Sequence, residues 1–414
     1  MENVILPDLN QVPVFLESLP QKLIKPIEKV QGPTPIWAWQ KSFVKTAIWL
    51  NILWVALTVY KNPVTVLKKL KTLLKMRNQY RNDGKLQKYF YANNKYYYNY
   101  NAPGWPSLAF NRYVTHLFKK TDVAESTSLH TLIFAITKKC GFKCEHCCEW
   151  EALNKPEVLS REDLLKVINN FYAKGISQVQ LSGGEPLNRL EDIFYLLTNS
   201  PKPLNFWIYT TGYNLSFQKA KLLKENGLTG ITISLDHWDA TMHDSFRGKP
   251  GSYQRALNAI RCAVENSLAV TLSICATKSF INEENLYRYA QLAKDNHVTF
   301  IQVLEPKAVG HYQGQDVILQ KQHTDVLEKF YENMNYNKDY KAYPIVAYHG
   351  YYSRRVGCSG SGKDYLYVDT DGDVHNCPFC QRKIFSAIHG NIDDELIKMK
   401  EGGCGVFNSN AIKN

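Results

Sequence analysis

Cys140, Cys144 and Cys147 lie in one short stretch, KKCGFKCEHCCEW, with the spacing C-x3-C-x2-C. Thiolates are the usual ligands of iron–sulfur clusters. Three on one loop can hold three irons of a [4Fe–4S] cube and leave the fourth iron open to a substrate or cofactor. The same stretch suits a structural zinc ion, with His146 or Cys148 as fourth ligand. Cys148 reads as a buried neighbour, because adjacent thiols rarely reach one metal. A second set stands near the C-terminus: Cys358, Cys377, Cys380 and Cys404. Four thiolates complete one cube with no open iron, or a four-thiolate zinc site. Of the ten cysteines, only Cys262 and Cys275 stand apart from both sets.

Between the two sets lie polar motifs. LSGGEPL supplies Gly183, Gly184 and Glu185. Paired glycines let the backbone approach a ligand closely, and the carboxylate can accept hydrogen bonds from an ammonium group. In SLDHWDATMHDSFRG, Ser234 and Asp236 share one strand face, and His243, Asp244 and Arg247 follow. Thr210 and Thr211 in YTTGY offer hydroxyls, and Gln302 and Glu305 in QVLEP offer groups to a cofactor or a substrate.

The elements that must position these groups alternate. Strand candidates at 132–137, 178–182, 206–210, 230–235, 270–274 and 299–304 are separated by helical stretches. One helix begins after Ser160, with Asp163 completing a near capping box, and others cover 188–199, 216–226, 252–266 and 283–296. Such alternation predicts an α/β fold with a parallel sheet. Six βα units are fewer than a closed barrel's eight, so the expected architecture is an open, partial (β/α)6 barrel of the TIM type, with its site at the C-terminal strand ends. Each motif does follow a strand candidate. From about Ala347 the chain turns to cysteine- and glycine-rich loops around one strand-turn, YLYVDTDGDV, whose Asp-Gly pair suits a hairpin. The reading divides the chain into a helical, basic and apolar region at 1–129, a core at 130–335 and a metal-stapled domain at 345–414.

CGFKCEHC, GGEP and the stretch from Ser234 to Arg247 resemble the signature of the radical S-adenosylmethionine (radical SAM) enzymes. The resemblance implies that Cys140, Cys144 and Cys147 hold a [4Fe–4S] cluster whose open iron is chelated by SAM, with His146 near the adenine. It implies that Gly183, Gly184 and Glu185 bind the methionine amino group. Ser234 would lie near the sulfonium or ribose, Arg247 on the methionyl carboxylate, and Asp236 in the same cofactor-binding set. The spacing C-x13-G-x4-C from Cys358 through Gly372 to Cys377 is similar to the SPASM and twitch extensions. With only four cysteines it implies the shorter, twitch-like form, one auxiliary [4Fe–4S] cluster on Cys358, Cys377, Cys380 and Cys404. The chemistry implied is reductive SAM cleavage to a 5′-deoxyadenosyl radical, with a flavodoxin- or ferredoxin-type reductant. No residue is singled out as a general base.

Charge and hydropathy add a partner. Across 414 residues, 44% hydrophobic and 21% charged, the composition is that of an ordinary globular protein of two or three units. The net charge of +12 is concentrated in residues 41–90, which carry eleven basic side chains against Asp83 alone. Residues 43–60 are eighteen residues with one charge, near the lower limit of about 17 to 25 for a bilayer span, and Trp37, Trp39, Trp49 and Trp54 add a residue type that favours membrane–water boundaries. Next, VTVLKKLKTLLKMR sets Leu67, Leu70 and Leu74 on one stripe among lysines, the build of an interfacial helix on anionic lipid. Lysines alternating with leucines argue against nucleic acid. The first 30 residues show no secretory pattern, which predicts a cytoplasmic protein, held at the inner face of the cell membrane. The substrate expected is lipid-linked or membrane-delivered, the alternative a peptide or protein. A non-catalytic iron–sulfur carrier or sensor would dispense with GGEP and the polar set after strand four.

Overall fold

The computed structural model describes residues 32–120 and 129–402. It begins with β1 (Thr34–Ile36) and two long helices, α1 (Ala38–Tyr60) and α2 (Pro63–Arg81). They part where Lys61 adopts a left-handed conformation, φ 57°, and Asn62 caps α2 by accepting from the Val64 and Thr65 N–H groups. Pro63 takes the first helical position, where its missing N–H has no intrahelical partner to lose. The tyrosine-rich tract forms a hairpin of β2 (Tyr89–Ala92) and β3 (Lys95–Tyr97). It turns at Asn93-Asn94, both at positive φ, as a two-residue type I′ turn requires. After it comes α3 (Leu108–Lys120).

From Thr131 strands and helices alternate: β4 (Thr131–Ala135), α4 (Arg161–Ala173), β5 (Gln178–Ser182), α5 (Leu190–Asn199), β6 (Asn205–Thr210) and α6 (Phe217–Glu225). Then follow β7 (Leu228–Ser234), α7 (Ala240–Arg247), α8 (Ser252–Glu265), β8 (Ala269–Cys275), α9 (Glu283–Asp295) and β9 (Phe300–Leu304). All six expected strands and all five expected helices are present. The capping box of α4 closes fully, Ser160 Oγ accepting from Asp163 N–H (3.1 Å) and Asp163 Oδ2 from Ser160 N–H (3.0 Å).

The chain continues through α10 (Lys321–Tyr336), β10 (Ile345–Tyr348), α11 (His349–Val356), β11 (Tyr365–Val368), β12 (Asp373–His375), β13 (Phe385–Ser386) and α12 (Ile392–Gly402). The large sheet runs β10-β9-β8-β7-β6-β5-β4-β11-β12-β13. Its first eight members are parallel, so the expectation of six parallel strands is too low by two. Ile345–Tyr348 is buried throughout and only four residues long, which hides any alternation. Tyr365–Val368 is the first arm of the expected Asp-Gly hairpin, and it also pairs with β4. The barrel is still partial, because β10 and β11 do not pair with each other among the described residues.

One core lies between sheet and helices, with Leu132, Phe134, Leu164, Ile231, Leu272 and Ile301 fully buried. A second lies beneath the barrel. Tyr97 and Tyr100 present their edges to Phe300 with ring centroids at 6.0 and 5.6 Å, and Tyr100 packs on Trp207 at 5.4 Å. Phe300, Ala269 and Ile345 open their strands and belong to this core, so the N-terminal segment closes the barrel's floor. Tyr80 of α2 spans the open edge, packed on Tyr352 of α11 and hydrogen-bonded to Asp364 just before β11. α1 buries Val44, Ile48, Val55 and Ala56 but leaves Trp39 76%, Phe43 72% and Trp54 58% exposed.

Candidate functional site

The first cysteine loop leaves the C-terminal end of β4 and is held on three sides. Gly184 N–H donates to Thr137 O (2.7 Å) and Glu185 N–H to Lys139 O (2.8 Å). A Cβ at Gly183, where φ is 123°, would stand 2.5 Å from Thr137 O, and one at Gly184 2.4 Å from Lys139 O, so this approach demands both glycines. On a second side, Lys143 and Glu145 N–H groups donate to the carbonyls of Arg247 and Phe246 (3.2 and 3.1 Å). On the third, His311 N–H donates to Cys147 O (3.0 Å) and His311 Nδ1 to Cys144 O (2.9 Å). Trp150 stacks flat on the His311 ring, 3.8 Å away at 4°. His311 escaped the sequence reading; a glycine-histidine pair soon after a strand-end motif was its only signal.

Cys144 is buried, and Cys140 and Cys147 are half-buried. Burial pushes the Cys140 thiol up to about 11 and the Cys147 thiol up to about 12, and it raises Cys144 as well, against the opposing pull of Arg247. They therefore stay protonated until a metal displaces the proton. Among the described residues, no three His, Cys, Asp or Glu side chains converge as a single metal ion requires. Three thiols on one loop facing one cavity suit a cube, in which each thiolate binds its own iron. Burial holds Cys148 far up as a thiol.

The three cysteines share one cavity of about 890 Å³ with His146, Gly183, Gly184, Ser234, Asp236 and Arg247. His146 stacks on Phe246, ring centroids 5.0 Å apart at 19°. Burial lowers its imidazole to about 4, so it is neutral, and its Nδ1 is buried without a hydrogen-bond partner. Arg247 Nη2 pairs with Asp236 Oδ2 (2.5 Å), and Arg247 Nη1 donates to Cys144 Sγ (3.5 Å). Burial works to raise the Asp236 carboxyl, but Arg247, His146, His243 and the Cys275 N–H together hold it below the usual value. Arg247 Nε remains buried and unpartnered. An orphaned guanidinium N–H and an orphaned imidazole nitrogen beside glycine backbone fit a ligand with a carboxylate and a polar heterocycle, as SAM has.

Glu185 lies outside the lining of this cavity. Its carboxylate accepts from Thr210 Oγ1 (2.6 Å), Leu187 N–H (3.2 Å), Thr211 N–H (2.8 Å) and Thr211 Oγ1 (2.6 Å). It pins the loop, and the Thr210 and Thr211 hydroxyls serve it. Gln302 lines the cavity, whereas Glu305 is taken up by Arg354, Tyr348 and Lys307. Beneath the site, Tyr209 OH donates to Gln180 Oε1 (3.1 Å) and accepts from Tyr100 OH (2.7 Å) and Gln302 Nε2 (3.3 Å). Tyr100 comes from the N-terminal segment, and nothing local in the sequence marks it.

In the second cysteine set, Cys377 and Cys380 bring their sulfurs to 3.4 Å, and Cys358 Sγ accepts from Gly360 N–H (3.3 Å). The hydrogen bond from Cys377 lowers Cys380 to about 7 and raises Cys377 itself. Cys358 is close enough to Cys377 to raise it further. Cys404 lies outside the described residues. Pro378 and Phe379, between the paired cysteines, line the large cavity.

Residues 134–293 match the radical SAM superfamily. This stretch is a radical SAM domain. The domain implies a [4Fe–4S] cluster and SAM. The chain is 25% identical over 295 residues to the AdoMet-dependent heme synthase of Methanosarcina barkeri, covering 66% of the one and 82% of the other. With the GTP 3′,8-cyclase of Campylobacter jejuni it is 28% identical over 288 residues, 66% and 83% of the two chains. It spans about half (47%) of the mitochondrial GTP 3′,8-cyclase of Arabidopsis thaliana, at 27% identity over 184 residues, 42% of this chain. Among solved structures, Streptococcus suis SuiB with its precursor peptide SuiA superposes with TM-score 0.54 at 15% identity, over 84% and 86% of the chains. anSMEcpe with bound AdoMet gives 0.52 at 16% identity, over 69% and 84%. These likenesses bear out the family and the partial-barrel α/β fold expected from the sequence.

Proposed function

We propose that this protein is a radical SAM enzyme acting on a lipid-linked or membrane-delivered metabolite. The carrying observation is the single cavity that joins the three cysteines and the orphaned Arg247 Nε to the apolar, basic helix pair. When bound, the cluster and SAM supply a 5′-deoxyadenosyl radical able to take hydrogen from an unactivated C–H bond. The chain's own residues bind and orient. Cys140, Cys144 and Cys147 ligate, Arg247 takes the methionyl carboxylate, and the backbone of Gly183 and Gly184 meets the amino group. His146 and Ser234 face the nucleoside, with Asp236 fixing Arg247. The tyrosine floor and the helices over the open edge exclude water. A carrier or sensor has no use for an orphaned guanidinium in a cavity of this size.

Cys358, Cys377 and Cys380, with Cys404, would hold one auxiliary [4Fe–4S] cluster in a twitch-like extension. Electrons would come from a flavodoxin- or ferredoxin-type protein. The exposed stripe of Trp39, Phe43, Leu50 and Trp54, with Lys68, Lys69, Lys71 and Lys75 on α2, suits the anionic inner face of the cell membrane. A peptide substrate is the second reading, favoured by neighbours solved with peptides, SuiB with SuiA and anSMEcpe with Cp18Cys.

Anaerobically reconstituted protein, given dithionite and SAM, is expected to form 5′-deoxyadenosine. Cys140→Ala should lower that rate at least a hundredfold. Stoichiometric zinc with no acid-labile sulfide in oxygen-free protein contradicts the proposal. Flotation with phosphatidylglycerol vesicles, lost in Trp39→Ser/Phe43→Ser/Trp54→Ser, tests the membrane part.

A further inference from the structure

The cavity has a second end. Besides the cysteines, Gln302 and Tyr209, its wall includes Tyr98 and residues of α1 and α2. That end is cationic: Lys41, Lys45, Arg77, Arg81 and Lys85 line it, with Asp83 among them and Asp364, which is hydrogen-bonded to Tyr80, in the same wall. None of the five cations is within ion-pair distance of a carboxylate among the described residues. Lys41 Nζ donates to a carbonyl, Leu86 O (3.1 Å), and Arg77 uses Nε and Nη2 on the Asn78 side-chain oxygen (3.2 and 2.8 Å). Trp49 lies under the Arg77 guanidinium at 5.8 Å. Arg77 and Arg81 sit one turn apart, and burial first, then the neighbouring Arg81 charge, lowers the tendency of Arg77 to hold its proton. Partly buried like charges without a counter-ion are unfavourable unless an anion joins them.

We infer that Arg77 and Arg81 form a subsite for the phosphate or other oxyanion of an amphipathic substrate, whose apolar body lies along the aromatic-lined cavity toward the Cys140–Cys147 loop. This deepens the proposed function and rests on it for the identity of the far end. Ile48, Ile52, Leu73 and Met76 beside the cations give the body an apolar wall, which a free inorganic anion would not use. Guanidinium suits the task, because its fork meets two oxygens at once.

The test uses reconstituted holoenzyme and dodecyl phosphate below its micelle concentration, with dodecanol as the neutral counterpart, read by tryptophan fluorescence. The phosphate should bind at least tenfold tighter than the alcohol. Arg77→Gln/Arg81→Gln should abolish that preference, and Arg77→Lys/Arg81→Lys should keep most of it. Equal binding of phosphate and alcohol, or a preference that survives in the glutamine variant, overturns the subsite. Inorganic phosphate competing as strongly as dodecyl phosphate overturns the amphiphile. Preference for phosphatidylglycerol vesicles without preference for monomeric dodecyl phosphate places anion binding on the outer surface and overturns it too. 5′-Deoxyadenosine formation is measured on the same samples. Its absence with the preference intact removes the enzyme reading alone, and its presence without the preference removes the subsite alone.

Discussion

Gly184 carries more of the site than its size suggests, because its own N–H binds Thr137 O and its missing side chain lets Lys139 O come near. A methyl group there meets backbone, which cannot rotate away as a flexible side chain can, so the cysteine loop itself must move. Gly184→Ala should therefore lower iron and acid-labile sulfide after anaerobic reconstitution several-fold. Gly141, in the same loop, has nothing within 4 Å of a built Cβ, and Gly141→Ala should retain both. Equal iron in the two variants would show that the approach of the two backbones is dispensable. At this scale the residue types were legible in the sequence, since the cysteine spacing, the paired glycines and the Ser234–Arg247 set do converge on one cavity. Which atom faces which was not. Glu185 reads as a ligand acceptor, yet Thr210 and Thr211 occupy its carboxylate, and His311 supports the cysteines from a loop 164 residues beyond Cys147.

Among elements, those whose signals are local were readable. Strands β4 to β9 alternate with amphipathic helices, and α4 announces itself by its cap. β10 was lost because four buried residues carry no period. The floor was lost because Tyr100 meets Tyr209 and Phe300 across more than a hundred residues, a pairing that no window of sequence contains. Lys88 is the clearest of these long-range ties. Just before β2, it is fully buried, and its Nζ donates to Met334 O (2.5 Å) in the last turn of α10 and to Tyr340 O (2.8 Å) just beyond that helix. Burial lowers it to about 7, and a neutral amine has two N–H groups for these two carbonyls. In the unfolded chain the amine titrates near its ordinary value of about 10.4. Between about pH 7 and 10 the unfolded state thus binds more protons, and stability rises with pH. From pH 7 to 9 the guanidinium-induced unfolding free energy of the wild type should gain about 2 kcal/mol more than that of Lys88→Met. Parallel pH profiles for the two proteins would mean that Lys88 is charged in the fold.

The whole molecule joins its two cysteine sets through one sheet. β11 pairs in parallel with β4, whose C-terminal end feeds the first loop, and antiparallel with β12, which leads to Cys377. Lys138 pairs with Asp371 (2.6 Å), Tyr367 OH donates to Glu149 Oε1 (2.5 Å), and Gln381 Nε2 reaches Cys148 O (3.4 Å). The first two ties run through the β11–β12 turn and β11, the third through Gln381 next to Cys380, and none uses a sulfur of the second set. Removing one thiol there therefore takes away a ligand of the proposed auxiliary cluster and leaves the β11–β4 pairing and the Lys138–Asp371 and Tyr367–Glu149 ties in place. The loop between Cys377 and Cys380, however, supplies Pro378 and Phe379 to the cavity wall, so its collapse changes the space beside the reacting groups. Cys377→Ala should lose about half of the iron of reconstituted protein and keep SAM cleavage to 5′-deoxyadenosine, while conversion of the true substrate falls at least tenfold. Cys140→Ala should stop 5′-deoxyadenosine formation and spare the second cluster. If Cys377→Ala instead lost 5′-deoxyadenosine formation together with its iron, the two sites would be one folding unit, and the shared sheet would transmit disorder from one to the other.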